Sequence, residues 1–177
     1  LEDKAHLKQI ITVFDNIDNL DETQAVDEVY IAIGKKLSLF ELLYLKKSKR
    51  KEFELVDFDY IRNIALFAKK LGAKSLGLIS AVGANEKSRN IYLSVKGKIE
   101  KEIMSLGFKK VVIAQPSHLL GKRPDEQTNY LISLFENITN ILGNLMIGPL
   151  KKYRNISAAQ VAKSLVSKMS NDDDLSL

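Results

Sequence analysis

Ser80, Tyr92 and Lys96 lie within one stretch, Leu78 to Lys96, LISAVGANEKSRNIYLSVK. The stretch reads as a buried strand ending in Ser80, a loop, and a helix in which Tyr92 and Lys96 are one turn apart. A hydroxyl at a strand's C-terminal end, facing a phenol and an ammonium, suits proton transfer beside a bound carbonyl. A free Tyr has a pKa of ~10, so only about 0.1% is phenolate at neutral pH. A nearby ammonium favours the phenolate, and each tenfold gain in phenolate corresponds to ~1.4 kcal/mol. The expectation is a Tyr92 tuned by Lys96. It would donate a proton to a carbonyl oxygen as hydride reaches the carbon, work typically worth ~10²–10⁴ in rate. Ser80 would hold the same oxygen. A Tyr–Lys pair at this spacing is commonplace by itself, and the strand-end Ser is what gives it weight.

Such a site needs a scaffold. Lys8 to Phe14, KQIITVF, and Glu28 to Ile33, EVYIAI, read as strands, as do Ser75 to Ser80 and Lys109 to Ala114. Phe53 to Leu71 reads as a helix with Val56, Tyr60, Ile64, Phe67, Ala68 and Leu71 inward, stopped by Gly72. Ser88 or Asn90 caps the next helix, whose stripe is Tyr92, Val95, Ile99, Ile103 and Leu106. Ser38 and Glu41 have capping-box spacing over the apolar Leu37 to Leu45, as do Ser157 and Gln160 before a last helix with Val161, Leu165 and Met169 inward. Leu37 to Leu45 is read as a core-packed helix, with a ligand lid or a homodimer contact as the alternative. Gln115 to Pro124 reads as a loop, Asp125 to Leu145 as a helix and second candidate contact surface, and Ile147 to Asn155 as irregular. The alternation of strand, helix and strand predicts an α/β fold with a doubly wound, mostly parallel sheet. Ligands of such sheets bind beyond the carboxyl ends of the strands. That selects Gly34, Ser80 and the segment Gln115 to His118.

Composition narrows the chemistry. The 177 residues are 45% hydrophobic and 28% charged, enough for one domain with a sizeable core. Residues 1–170 are assigned to that domain and 171–177 to a disordered acidic tail. There is no Cys, so disulfides and thiolate chemistry are excluded, and His6 and His118 are too few for a His-based metal site. No apolar run reaches the ~18–20 residues of a membrane span, and a cytoplasmic location is expected. Much of the net charge of +5 sits in KKSKRK, Lys46 to Lys51. It is read as a solvated loop rather than a nucleic-acid site, since no aromatic platform accompanies it. The chain opens on Leu1, with no signal peptide, and reads as the remainder of a longer polypeptide.

The segment from Ser80 to Pro124 carries a wider pattern: Ser80, then Gly83-Ala84, then Tyr92-x-x-x-Lys96-Gly97-x-x-Glu100, then Leu106-Gly107-Phe108, then Gln115-Pro116-Ser117-x-Leu119-Leu120-Gly121. With VDFDYIRNIALFAKKLGAK upstream and YRNISAAQVAKSLV downstream, it resembles atypical short-chain dehydrogenase/reductases of the Tat-interacting-protein oxidoreductase type. The resemblance covers roughly Gln9 to Val166. It implies a Rossmann-like fold binding NADP or NAD and an unidentified small-molecule substrate. It implies Ser80, Tyr92 and Lys96 as catalytic positions, with Lys96 also on the nicotinamide ribose. It places Ala32, Gly34, Gln115, Pro116 and Ser117 at the cofactor, and Tyr153 and Arg154 on the substrate side. The chain departs from the pattern in lacking the opening strand, glycine turn and helix that hold a pyrophosphate. Val13 stands where relatives often carry Asp, and Gly34-Lys35-Lys36 replaces Gly-Thr-Thr. A non-catalytic nucleotide-sensing or protein-interaction module is the competing reading.

Overall fold

The computed structural model describes residues 10–20, 24–116, 119–120 and 156–171. Three parallel strands form its sheet in the order β1 (Glu28–Ile31), β2 (Ser75–Ile79), β3 (Lys110–Ala114). Glu28 pairs with Ser75 and Ser75 with Lys110, so the strands run level and end together. Between β1 and β2 come α1 (Leu39–Leu43), α2 (Lys47–Glu54), a wider π-helical stretch (Leu55–Tyr60) and α3 (Ile61–Lys70). α4 (Ile91–Ser105) joins β2 to β3. A short parallel pair, β4 (Leu119–Leu120) with β5 (Ile156–Ser157), precedes α5 (Ala158–Ser170). The fold is α/β, as the alternation of elements predicts.

Burial in β2 shows how the layers form. Leu76 and Leu78 lie in a core with Ile31, Ile61, Ala65, Ile99 and Ile103, so α3 and α4 cover one sheet face. Gly77 points the other way, as the two-residue period of a strand requires. A Cβ there would lie 3.3 Å from Leu165 of α5 and 3.0 Å from Tyr30. Helices therefore cover both faces. Each fully buried aliphatic side chain contributes ~1.5–3 kcal/mol, and Leu76→Ala would cost ~2–5 kcal/mol through the cavity left behind. The helix stops are local: Gly72 and Gly107 take φ of +96° and +73°, conformations that a Cβ disfavours.

Several expected elements hold and several do not. Both capping boxes form, at Ser38–Glu41 and Ser157–Gln160, and Val161, Leu165 and Met169 are buried. Asn90 is the cap of α4, its side chain accepting from Leu93 N. Lys8 to Phe14 is not a strand where described: residues 10–13 are unpaired and Phe14–Asn19 is a 3-10 helix. Ile10, Ile11 and Val13 are exposed. β-branched residues favour a strand only on a paired, half-buried surface, and no described strand lies beside them. The basic run is helical from Lys47 onward rather than a loop. Part of the expected loop Gln115 to Pro124 is β4. The long helix buries Ala68 of the expected stripe but otherwise turns another face inward: Phe53, Asp57, Ile61 and Ala65 are buried, while Val56, Tyr60, Ile64, Phe67 and Leu71 are only half-buried. Asp125 to Leu145, Ile147 to Asn155 and the tail beyond Asn171 lie outside the described residues.

Candidate active site

The carboxyl ends of the strands make one rim. Beyond β2, Ser80 N donates to Ala114 O at 2.8 Å and Val82 N to Pro116 O at 3.0 Å, so the two exit loops continue the ladder. Ser80 is thus fixed through its backbone. Its Oγ is buried and has no hydrogen-bond partner among the described residues. Such a group costs ~1–3 kcal/mol if nothing ever satisfies it.

α4 supplies the other two members of the trio. Its first turn carries Tyr92, half-buried beside Phe53 with ring centroids 5.8 Å apart, next to Leu45 and Val95. One turn on, Lys96 is buried, and its Nζ lies 2.8 Å from Asp57 Oδ1. The second oxygen, Oδ2, accepts from Lys35 N at 2.7 Å. Gly34 borders the pair: a Cβ there would sit 3.1 Å from Asp57 Oδ1 and 3.7 Å from Lys96 Nζ. Any side chain at 34 would therefore press against the pair.

The tuning of Tyr92 runs opposite to the expectation. Burial, and then the negative charge of Asp57, push its phenol up to about 12. Lys96 is not among the causes that move it. Among the described residues no hydrogen bond joins Ser80, Tyr92 and Lys96 to one another. The structure does bring Gly34 and Lys96 together, through Asp57.

The remaining expected positions divide. Ala32, just past β1, is exposed. Gln115 Nε2 donates to both oxygens of buried Glu100, at 2.9 Å each, tying the β3 exit to α4. Pro116 O takes the Val82 bond already described. Ser117, Tyr153 and Arg154 lie outside the described residues. Asp57 is the residue that sequence reasoning missed. Its signal was present: with Phe53, Ile61 and Ala65 it recurs every fourth residue, an acid on an otherwise apolar buried stripe. Gly97 permits the loop to pack, since a Cβ there would fall 2.2 Å from Glu86 N and 2.3 Å from Asn85 C. A groove of about 210 Å³ is lined by Glu54, Phe58, Asp59, Val95 and Lys98, and by none of Ser80, Tyr92 and Lys96. No metal-binding group of three or more His, Cys, Asp or Glu occurs among the described residues.

Comparison with known proteins adds the following. No family model matches the chain. It is 39% identical over 85 residues to the mitochondrial protein FMP52 of Candida glabrata, covering 48% of this chain and 36% of that protein. It is 34% identical over 116 residues to FMP52 of Debaryomyces hansenii, covering 64% and 49%. The chain spans half or less of the length of these relatives. They carry the FMP52 name, not the Tat-interacting-protein name that the motif suggested. Their mitochondrial designation overturns the cytoplasmic location expected from composition. Among solved structures, Pen from Bacillus thuringiensis matches with TM-score 0.59 and 18% identity over 91% of this chain and 47% of that one. A short-chain dehydrogenase family protein from Francisella tularensis matches with TM-score 0.57 and 15% identity over 93% and 73%. An enoyl-(acyl-carrier-protein) reductase from Anaplasma phagocytophilum, in complex with NAD, matches with TM-score 0.55 and 17% identity over 89% and 61%. The chain therefore has a Rossmann-like α/β fold.

Proposed function

We propose that this chain is the carbonyl-handling part of a mitochondrial NAD(P)H-dependent oxidoreductase of the short-chain dehydrogenase/reductase type. The observation that carries the reading is Ser80 Oγ, buried at the carboxyl end of β2 and without a partner among the described residues. A hydroxyl so placed lacks an acceptor that a substrate carbonyl oxygen would supply. The Tyr–Lys spacing and the fold shared with an NAD complex support it, as does the motif likeness to Tat-interacting-protein oxidoreductases.

The residues present fit the nicotinamide end of a dinucleotide, NADP or NAD. Lys96, flanked by Gly34, would meet the ribose hydroxyls, and Ala32, Gln115, Pro116 and Ser117 would line the rim. No glycine pair spaced by one or two residues occurs in the sequence to hold a pyrophosphate. When bound, the cofactor supplies hydride to the carbonyl carbon. Ser80 donates to the carbonyl oxygen and orients it. Tyr92, protonated across neutral pH, releases its phenolic proton to that oxygen as the C=O π bond opens, giving an alcohol, and regains a proton from solvent. Asp57 holds Lys96 in place. Tyr153 and Arg154 would contact the substrate.

One observation favours a second reading, a non-catalytic NAD(P)-sensing or protein-interaction module. Lys96 is committed to Asp57, and Tyr92 is harder, not easier, to ionise. NADPH fluorescence on the full-length protein, with turnover of a carbonyl panel, separates the two. Catalysis requires that Tyr92→Phe abolish turnover and leave NADPH binding intact. Binding without turnover of any carbonyl points to the sensor, and absence of both removes the redox reading.

A further inference from the structure

α1 turns apolar side chains into water. Phe40, Leu43 and Tyr44 are 84%, 78% and 66% exposed. Phe40 and Leu43, three residues apart, share a helix face, and Tyr44 adjoins them as the C-cap. Scattered exposed apolar residues are ordinary, but three contiguous large ones mark a contact surface.

The tip is held rigidly. Ser38 caps it and Lys49 pairs with Glu41. Asn90 Nδ2 donates to Leu42 O at 2.8 Å and to Leu43 O at 3.2 Å. Arg50 Nε donates to Leu45 O at 3.0 Å, and Leu45 itself is buried against Phe53 and Val95. These anchors keep Phe40, Leu43 and Tyr44 from folding back onto the core.

Positive charge borders the tip. Lys46 follows Tyr44 by two residues, so their Cα atoms are at most about 7 Å apart. Lys46, Lys47 and Lys51 are exposed and make no ion pair among the described residues. Lys47 and Lys51 share a face of α2. The nearby acids Glu41 and Glu52 are already engaged by Lys49 and Lys35; Glu54, at the far end of α2, is two turns from Lys47 and under one turn from Lys51.

We propose that Phe40, Leu43 and Tyr44 with Lys46, Lys47 and Lys51 form a peripheral docking surface for an anionic lipid bilayer. Apolar side chains on a rigid turn enter the headgroup–acyl boundary, and the adjacent ammonium groups meet anionic headgroups. A nucleic-acid groove fits less well, since Leu43 has no stacking face and a phosphate backbone does not cover aliphatic surface. No span is needed, and none of the described helices is long and apolar enough to cross a membrane. The inference is independent of the redox reading, because it uses none of Ser80, Tyr92 or Lys96.

The test is co-sedimentation of full-length protein with phosphatidylcholine vesicles, with and without about one-third phosphatidylserine. Retention is expected on the anionic vesicles alone. Each Lys→Glu change at 46, 47 or 51 should weaken it about fivefold or more. Phe40→Ser with Leu43→Ser should abolish the part that survives raised salt, with the far-ultraviolet circular dichroism unchanged. Because this chain has no Trp, Phe40→Trp adds a probe whose emission, as a difference from the parent, should shift blue on anionic vesicles. No retention, equal retention on neutral vesicles, or an unshifted indole overturns the proposal. So does retention on single-stranded RNA, but not on vesicles, that the lysine changes remove.

Discussion

Lys96 Nζ and Asp57 Oδ1 stand 2.8 Å apart with side chains only 7% and 2% exposed. The pair joins α4 to the π-helical stretch before α3, and Asp57's other oxygen holds Lys35 N at the exit of β1. One carboxylate therefore fixes the ammonium and the backbone turn beside Gly34 together. The same carboxylate is, after burial, the second cause that raises the Tyr92 phenol.

The pair makes a stability prediction. Removing one member of a buried pair strands the other and typically costs ~3–5 kcal/mol, while replacing both by apolar groups is often near neutral. Asp57→Ala should therefore lower the urea unfolding free energy by about that much. Adding Lys96→Met should restore most of it, giving a strong coupling energy in the double-mutant cycle. Additive losses would mean the two groups do not depend on each other.

Tyr92 predicts a pH dependence. Its phenol is raised from 10.0 to about 12, by burial first and the Asp57 charge second. The native state keeps the proton that the unfolded chain loses above pH ~10, so the unfolded state binds fewer protons there and stability falls as pH rises. The contribution is complete below pH ~10 and gone above about 12, on the order of 2–3 kcal/mol in all. Alkaline unfolding followed by circular dichroism should show this slope in the parent and a shallower one in Tyr92→Phe. Asp57→Asn should bring the phenolate absorbance in at lower pH.

The arrangement of strands and helices was legible because it rests on local signals: apolar runs bounded by Gly72, Gly107 and the capping boxes at Ser38 and Ser157. The strand at Lys8 to Phe14 was misread because propensity describes the residues and not the partner a strand requires. The buried face of the long helix was misread because Val56, Tyr60 and Ile64 are also apolar at helical spacing. In addition, the π-helical Leu55–Tyr60 shifts the phase that a 3.6-residue period assumes. Asp57 escaped for the same reason, since an acid on the expected outer face draws no notice. Spacing selects Ser80, Tyr92 and Lys96 as candidates, but which charge faces which side chain is a tertiary matter that spacing does not encode.

Gly97 predicts a packing limit. It lies in mid-helix, where Gly is ordinarily unfavourable by ~1 kcal/mol relative to Ala. Here the Asn85–Glu86 backbone crosses it, with distances of 2.2–2.6 Å to a would-be Cβ. These are backbone atoms that cannot swing aside. Gly97→Ala should therefore destabilise by ~1–3 kcal/mol or more, as overpacking does, despite the gain in helix propensity. Proteolysis should rise in the Ala81 to Asn90 loop, which Ser94 Oγ also holds through Glu86 O at 3.1 Å. An Ala variant as stable as the parent would show that the loop has room to lift.

Ser80 separates stability from chemistry. Its Oγ is desolvated and bonded to none of the described residues, so deleting it removes a cost of ~1–3 kcal/mol rather than an interaction. The backbone bond from Ser80 N to Ala114 O survives the change. Ser80→Ala should therefore leave unfolding free energy unchanged or raise it by about 1 kcal/mol. If the hydroxyl serves a carbonyl oxygen, the same variant should lose about 10²–10³ in kcat, the usual effect of removing one such donor. Chemical denaturation and steady-state kinetics on one preparation decide the matter. A loss of stability of the size expected for a satisfied core hydroxyl, with turnover intact, would make Ser80 a packing residue and take the central support from the redox reading.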